Sequence, residues 1–517
     1  MRDATPVLVD TPAEHVRIHA RHRPDARAVV DAGAGRTLTF AELDARVNQL
    51  AHGLLERGFT SGDRIAVLAT DSHQYLEAVL ACMRTGIAYV PLNVRLVETE
   101  LATLLGRASA KALFAGERYA ETGEHLRSYL TAPGLVVRLG PDNGLGTYEH
   151  LLTAQPHHDP GLPVDVEAPL GLAFTSGTTG LPKAVVQPMR MISAAVTAGI
   201  IDYETGPDEF RYTAAPMFHI AGIGYPLMHL SRGIPSLVLP QFDVEVVLRW
   251  MQGGEITGCF LVPTMISALL EHPDVHTSQY ERLRKIVYGA AAITPALLRR
   301  AMDTFGCDFV QAFGAGTEAG TQCCLSSADH RRALDGAEHL LGSIGRPAFG
   351  VELRIVDEDL NDVKVGDVGE IATRSAQVMT GYLGMPEETA EVFRGGWFRA
   401  GDLARQDAEG YVYLAGRSKD MIVRGGENIF LIEIESVLME HPAVIEVAVV
   451  GQADEHWSEV VHAHVVLRDT TVGGEELRAF CRGRMAPHKV PVAVHVEQEL
   501  PRNASGKILK RVLRDGG

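Results

Sequence analysis

IAVLATDSHQYLEAVLACMRTGIAYVP, residues 65 to 91, is the stretch on which the fold class turns. Ile65 to Ala69 is a short apolar run, Tyr75 to Arg84 is helix-like, and Ile87 to Val90 is a second run ended by Pro91. A strand, a helix and a second strand in that order favour a parallel sheet. Upstream, Thr39-Phe40-Ala41-Glu42 forms a capping box, and Leu43, Val47, Leu50, Leu54 and Leu55 recur at helical spacing until Gly58. The alternation returns around Gly171 to Phe174, Ile286 to Tyr288 and Phe309 to Phe313, so the chain to about residue 415 reads as layered α/β. Beyond it, Ile445 to Val450, Val461 to Leu467 and Val490 to Val496 read as strands, with helices at Leu431 to Met439 and Glu475 to Met485. The expectation is a large N-terminal α/β part, residues 1–417, and a small mobile α+β domain, residues 418–517. The hinge falls in the polar stretch Gly416-Arg417-Ser418-Lys419-Asp420.

The 517 residues predict about three or four folding units. Apolar residues make up 46% and charged ones 22%, which rules out bulk disorder. A net charge of -17 opposes attraction to phosphate backbones and anionic lipid, so no nucleic-acid partner is expected. The six cysteines lack CxxC spacing and read as reduced, structural thiols. The start lacks a basic stretch followed by an apolar run, and nowhere do about 18 consecutive apolar residues occur. Neither a secretory signal nor a membrane span is expected, and the cytoplasm is the expected location.

Directly after the strand-like Gly171 to Phe174 comes Thr175-Ser176-Gly177-Thr178-Thr179-Gly180-Leu181-Pro182-Lys183. Hydroxyls, glycines and a lysine make a donor-rich loop suited to a polyphosphate. It is not a Walker A loop, which needs GxxxxGK[ST] opening a helix, whereas here Pro182 precedes the lysine. Such a composition in isolation is an ordinary turn. Together with Ala215-Pro216-Met217-Phe218-His219, Gly396-Trp397-Phe398-Arg399-Ala400-Gly401-Asp402 and Pro501-Arg502-Asn503-Ala504-Ser505-Gly506-Lys507, it resembles the adenylate-forming superfamily. That superfamily comprises acyl-CoA synthetases, luciferases and nonribosomal-peptide adenylation domains. GRSKDMIVRGGEN, from Gly416 to Asn428, and the final SGKILKR are most similar to acyl- and aryl-CoA ligases.

The resemblance implies a carboxylate reacting with ATP to give acyl-adenylate and pyrophosphate, then thiol attack by coenzyme A to release AMP. It implies that Thr175, Ser176, Gly177, Thr178, Thr179, Gly180 and Lys183 hold the β- and γ-phosphates. Phe313 would lie against adenine, Asp402 would accept the ribose hydroxyls and Arg417 would make a second ribose contact. Thr317 would meet the α-phosphate, and Glu318 would bind Mg²⁺. Lys507 would place a cation between the carboxylate and the α-phosphate as charge builds. His219 would gate the acyl pocket against the coenzyme A tunnel, although a lone histidine after an apolar run is commonly a core residue. Gly289, Ala290, Ala291 and Gly314 would wall the acyl pocket, Gly425 and Gly426 would line the tunnel, and Lys419 would be the hinge.

One departure stands out. The family pattern resembles Q-G-Y-G-M-T-E-A-G, whereas here Gln311 to Gly320 reads QAFGAGTEAG, with Ala315-Gly316 in place of one residue. The excess adds up to about 3.8 Å of chain, so a bulge must absorb it. Bulging outward leaves Thr317 and Glu318 in place. Bulging inward impairs adenylation, so that a supplied acyl-adenylate becomes the substrate. Partners are then a small carboxylic acid or its adenylate and coenzyme A, with a homodimer possible. A free-standing enzyme loading a carrier protein is the alternative. Gly314-x-Gly316-x-x-x-Gly320 also mimics a dinucleotide fingerprint, which keeps a nicotinamide-dependent reductase as a remote alternative.

Overall fold

The computed structural model describes residues 10–142, 144–175, 182–276, 280–291, 293–424, 427–454, 458–469, 471–502 and 508–515. The helix expected after Thr39 spans Phe40–Glu56, and Thr39 and Glu42 form both bonds of the capping box. The unit read from residues 65 to 91 is the strand Arg64–Leu68, the helix His73–Thr85 and the strand Ala88–Pro91. The two strands pair in parallel, with Ile65 opposite Tyr89. Every residue of His73–Thr85 is buried. That is why its apolar residues run all round it rather than along one stripe.

Arg64–Leu68 is an interior strand of a seven-stranded sheet, with Ala88–Pro91 on one side and Ala112–Ala115 parallel on the other. Pro169–Phe174 joins the same sheet beside Ala88–Pro91, and an antiparallel turn leads to Ala184–Pro188. A second sheet has nine strands. Its parallel run includes Arg211–Thr213, Gly258–Leu261, Lys285–Gly289 and Asp308–Gly316, after which Gly320–Leu325 turns back antiparallel. One contiguous core joins the layers: Leu76 and Val79 of the buried helix, Ile65 and Val67 of the first sheet, and Phe260 and Val287 of the second.

A third sheet, of five strands, contains Val351–Val356, Gly369–Ser375, Trp397–Gln406 and Val412–Arg417. Strands from Ile422–Arg424 onward form a fourth, which among the described residues pairs with none of the other three. Its long hairpin, Val444–Asp454 with Ser458–Leu467, packs against the helices Leu431–Met439 and Gly474–Arg482. The chain is thus mixed α/β, with a large part of layered sheets and helices and a smaller C-terminal part. Two sequence expectations shift: the helix expected to reach Met485 ends at Arg482, and the strand expected from Val490 covers Ala493–Glu497. Pro487 opens a short 3₁₀ turn between them and Pro491 lacks a ladder donor, which together delay the strand. The six cysteines are unpaired, and no described helix is long and apolar enough to cross a membrane.

Candidate active site

The stretch expected to hold phosphates connects two antiparallel strands, and its ends are tied together. Thr175 N–H donates to the Lys183 carbonyl at 2.9 Å, and Lys183 N–H donates to Thr175 Oγ1 at 3.4 Å. Ser176, Gly177, Thr178, Thr179 and Gly180 lie outside the described residues. The Lys183 ammonium stands 4.7 Å from the centre of the Tyr382 ring, a cation–π distance. The Tyr382 hydroxyl reaches Glu318 Oε1 at 3.5 Å. Tyr382 escaped sequence reasoning, because a lone Gly-Tyr pair carries no pattern. The pairing of Gly381 with Val186 and of Tyr382 with Val185 brings it beside the loop.

Thr317 and Glu318 sit at the tip of the hairpin made by Asp308–Gly316 and Gly320–Leu325. Phe313 pairs with Cys323, Gly314 with Thr321 and Gly316 with Gly320. Read in order, these pairs leave Gln322 unmatched on the second strand and Ala315 unmatched on the first. Two bulges on opposite strands cancel, with Ala315 as the unmatched residue on the first strand. Its methyl packs against the cluster of Val185, Met191, Ala319 and Met379. Gly316 makes the turn at φ +52°, a left-handed conformation that glycine adopts without cost.

The tip is anchored through its backbone. Gln187 Nε2 donates to the Thr317 carbonyl at 2.9 Å, and Met379 N–H donates to the Glu318 carbonyl at 2.8 Å. Burial raises the proton affinity of the Glu318 carboxyl, and its own backbone N–H, Arg417, the Tyr382 hydroxyl and Lys183 partly offset it. The glycines at 314, 316 and 320 close a hairpin instead of opening a helix, which removes the dinucleotide-binding reading.

Asp402 and Arg417 face each other across neighbouring strands, and Arg417 Nε donates to Asp402 Oδ1 at 2.9 Å. Asp402 is buried, whereas half of the Arg417 side chain is open to solvent. Phe313 packs against Cys323, Ile344 and Ile371, between the nine-stranded and third sheets. Gly289 ends its strand, and Ala290 follows at φ +66°. A non-glycine residue held there stores strain of about 1 kcal/mol or more, a cost that concentrates at ligand-binding backbone. Ala290 and Ala291 are exposed, as is Gly314.

His219 precedes the helix Ile220–Arg232, its ring 4.5 Å from that of Phe218. Burial, helped by Arg95, pushes its imidazole down to about 4, so it is neutral at physiological pH. Lys419 lies in the short turn Ser418–Asp420, where one sheet system gives way to the other. Gly425, Gly426 and Lys507 lie outside the described residues.

Lys183, Tyr382, Glu318, Arg417 and Asp402 therefore gather two cations, two carboxyls and an aromatic ring along one edge of the large part. Mg²⁺ takes one or two carboxylates and completes its shell with phosphate oxygens and water. The single Glu318 carboxyl fits such an ion together with a nucleotide, and no described group of three or more His, Cys, Asp and Glu forms a metal cage.

Comparison with known proteins accords with this geometry. Residues 16–383 match the AMP-binding enzyme family and residues 433–507 its C-terminal domain. A fatty acid–[acyl-carrier-protein] ligase, ScoC, of Streptomyces coeruleorubidus is 33% identical over 98% of this chain and 96% of its own. A feruloyl-CoA synthase of an Amycolatopsis species is 36% identical over 96% of both chains. The o-succinylbenzoate coenzyme A synthetase MenE of Bacillus subtilis, solved with ATP and magnesium, superimposes with a TM-score of 0.84 at 28% identity, covering 97% of this chain and 99% of that one. ATP, Mg²⁺ and coenzyme A are the reagents of this family. The chain belongs to the AMP-binding enzyme family and is an AMP-forming acid–thiol ligase.

Proposed function

We propose that the chain is a complete two-step acyl-CoA ligase, adenylating its own carboxylic acid rather than depending on a supplied acyl-adenylate. The observation that carries this reading is the place of the extra residue. Ala315 bulges into an apolar cluster, while Glu318 stays in reach of the Tyr382 hydroxyl, whose ring carries Lys183, and feels the charge of Arg417. In the first step a carboxylate oxygen attacks the α-phosphorus and the bond to pyrophosphate breaks. Lys183 and the donors at 175–180 meet the charge on the leaving pyrophosphate. Asp402 and Arg417 hold the ribose, Phe313 lies beside adenine, and Thr317 meets the α-phosphate. Glu318 would hold Mg²⁺, which when bound supplies charge neutralisation at the phosphates. In the second step the thiol sulfur attacks the acyl carbon and AMP leaves, with His219 at the mouth of the pocket walled by Gly289, Ala290, Ala291 and Gly314. Gly425 and Gly426 line the thiol's approach.

A carrier-protein thiol in place of coenzyme A is a second reading, supported by the ScoC ligase, which is similar over nearly the full length. The test is pyrophosphate release from a panel of aryl and aliphatic acids with ATP, beside thioester formation from the same acids supplied as adenylates. Coenzyme A and a phosphopantetheinylated carrier protein are offered as alternative acceptors. Thioester from adenylates without pyrophosphate release from any acid would overturn the two-step reading. Lys507→Ala should lower acid-plus-ATP turnover at least a hundredfold and leave attack on supplied adenylate within a few-fold. Equal loss of both would remove that division of labour.

A further inference from the structure

Asp71 lies in the loop between the strand Arg64–Leu68 and the helix His73–Thr85, 9% exposed, and no feature of the expected chemistry uses it. Its Oδ1 accepts the Met217 backbone N–H at 2.8 Å, joining segments 146 positions apart. Met217 is two residues before His219. The turn from Ala214 to His219 is gripped at other points as well. Ala214 N–H donates to the Phe260 carbonyl at 3.0 Å, and His219 N–H donates back to the Pro216 carbonyl at 2.9 Å. A Cβ on Gly222 would stand 1.8 Å from the Pro216 oxygen, so the following helix presses directly on this backbone. Between these holds, the Asp71 carboxyl sets the height of Met217.

The chemistry of the residue is unexpected for a mere brace. The charge that bears on Asp71 is that of another acid, Asp31, which accepts the His73 backbone N–H at 2.9 Å and lies 2.7 Å from the His73 ring Nδ1. Among the described residues, the buried phenols of Tyr75 and Tyr212 also feel the Asp71 charge. An asparagine would accept the same bond without the cost of burying a group that ionises. Burial, reinforced by Asp31, pushes the Asp71 carboxyl up to about 8, so its charge changes near that pH. Once ionised, its bond to Met217 is charge-assisted and tighter.

We propose that Asp71 is a positioning residue for the thioester-forming step, holding Phe218 and His219 at the mouth of the acyl pocket through the Met217 N–H. The inference rests on the reading of His219 as the gate between acyl pocket and thiol tunnel. A displaced gate obstructs the thiol and leaves acid and nucleotide where they were, so the two half-reactions separate.

The test compares Asp71→Asn, Asp71→Leu and His219→Ala in the full chain, by pyrophosphate release and by coenzyme A attack on supplied acyl-adenylate, with thermal unfolding as a check on folding. Asp71→Leu should slow thioester formation about tenfold or more and raise the KM for coenzyme A, with pyrophosphate release within about twofold. Asp71→Asn, which keeps the acceptor, should restore the rate at neutral pH. The ratio of parent to Asp71→Asn thioester rates cancels the ionisation of coenzyme A itself, and should rise through pH 8. Equal loss of both half-reactions in Asp71→Leu, the same loss in Asp71→Asn, or no loss in Asp71→Leu each overturns the proposal. A silent His219→Ala removes the gate reading by itself, and the contrast between the two Asp71 variants still decides the positioning claim.

Discussion

Glu318 places a carboxyl where burial favours its proton and two cations favour its charge, and burial wins. A folded-state acid with raised proton affinity destabilises the fold as pH rises past its unfolded value, because the native state must then hold an uncomfortable charge or keep its proton. Glu318→Gln removes that charge and keeps the shape. It should raise the unfolding free energy at pH 8, with the gain fading toward pH 4. The same change should lower pyrophosphate release at least tenfold and make it less responsive to Mg²⁺ concentration. A variant that is both less stable and fully active would contradict the assignment. Legibility at this scale was uneven. Asp402, Arg417 and Lys183 stood out through the words around them, whereas Tyr382 and Asp71 act through contacts with distant segments, and a linear string does not display such contacts.

Among the elements, the tip hairpin is where chain length meets chemistry. Sequence spacing identified an excess residue but did not say which strand would carry it, because the answer depends on pairing across the hairpin. Ala315 fills the bulge, and Gln322 answers it on the other strand. Deleting Ala315 shortens the first strand by about 3.8 Å without removing the second bulge. Gly316 then loses its partner Gly320, and Glu318 is drawn away from Tyr382. Pyrophosphate release should fall at least tenfold, with coenzyme A attack on supplied adenylate changing much less. A rise in pyrophosphate release would mean instead that the insertion hinders adenylation. The other elements were easier to foresee. The capping box at Thr39 and the run from residue 65 to 91 obey local rules, so their ends moved by only a residue or two.

For the whole molecule, the change from the third sheet to the fourth occurs within the few residues from Arg417 to Ile422. Composition pointed to this stretch because polar, glycine-bearing segments carry few contacts. On the roles proposed for them, Lys507 and the Gly425-Gly426 loop serve the same acyl group at different steps, so we expect the part after Ser418 to swing about Lys419 on a microsecond to millisecond timescale. Lys419→Pro fixes φ at the pivot and restricts Ser418 before it. Thioester formation should drop more than tenfold while pyrophosphate release stays within about twofold. Unchanged rates of both steps would count against such a swing.

The cancelling bulges also bear on ancestry. A residue gained in the middle of a paired strand ordinarily shifts every later side chain to the opposite face, and a lineage that suffers it loses the sheet. Here the slip opened at Gln322 is closed again at Ala315, within a few residues, so the register at Gly316 opposite Gly320 matches that at Phe313 opposite Cys323. Such a hairpin is a place where descendants can lengthen or shorten the chain beside a reactive centre while inheriting the rest of the nine-stranded sheet intact. Differences in the reach of the tip, and hence in which phosphate or acyl group it meets, become available to selection one residue at a time.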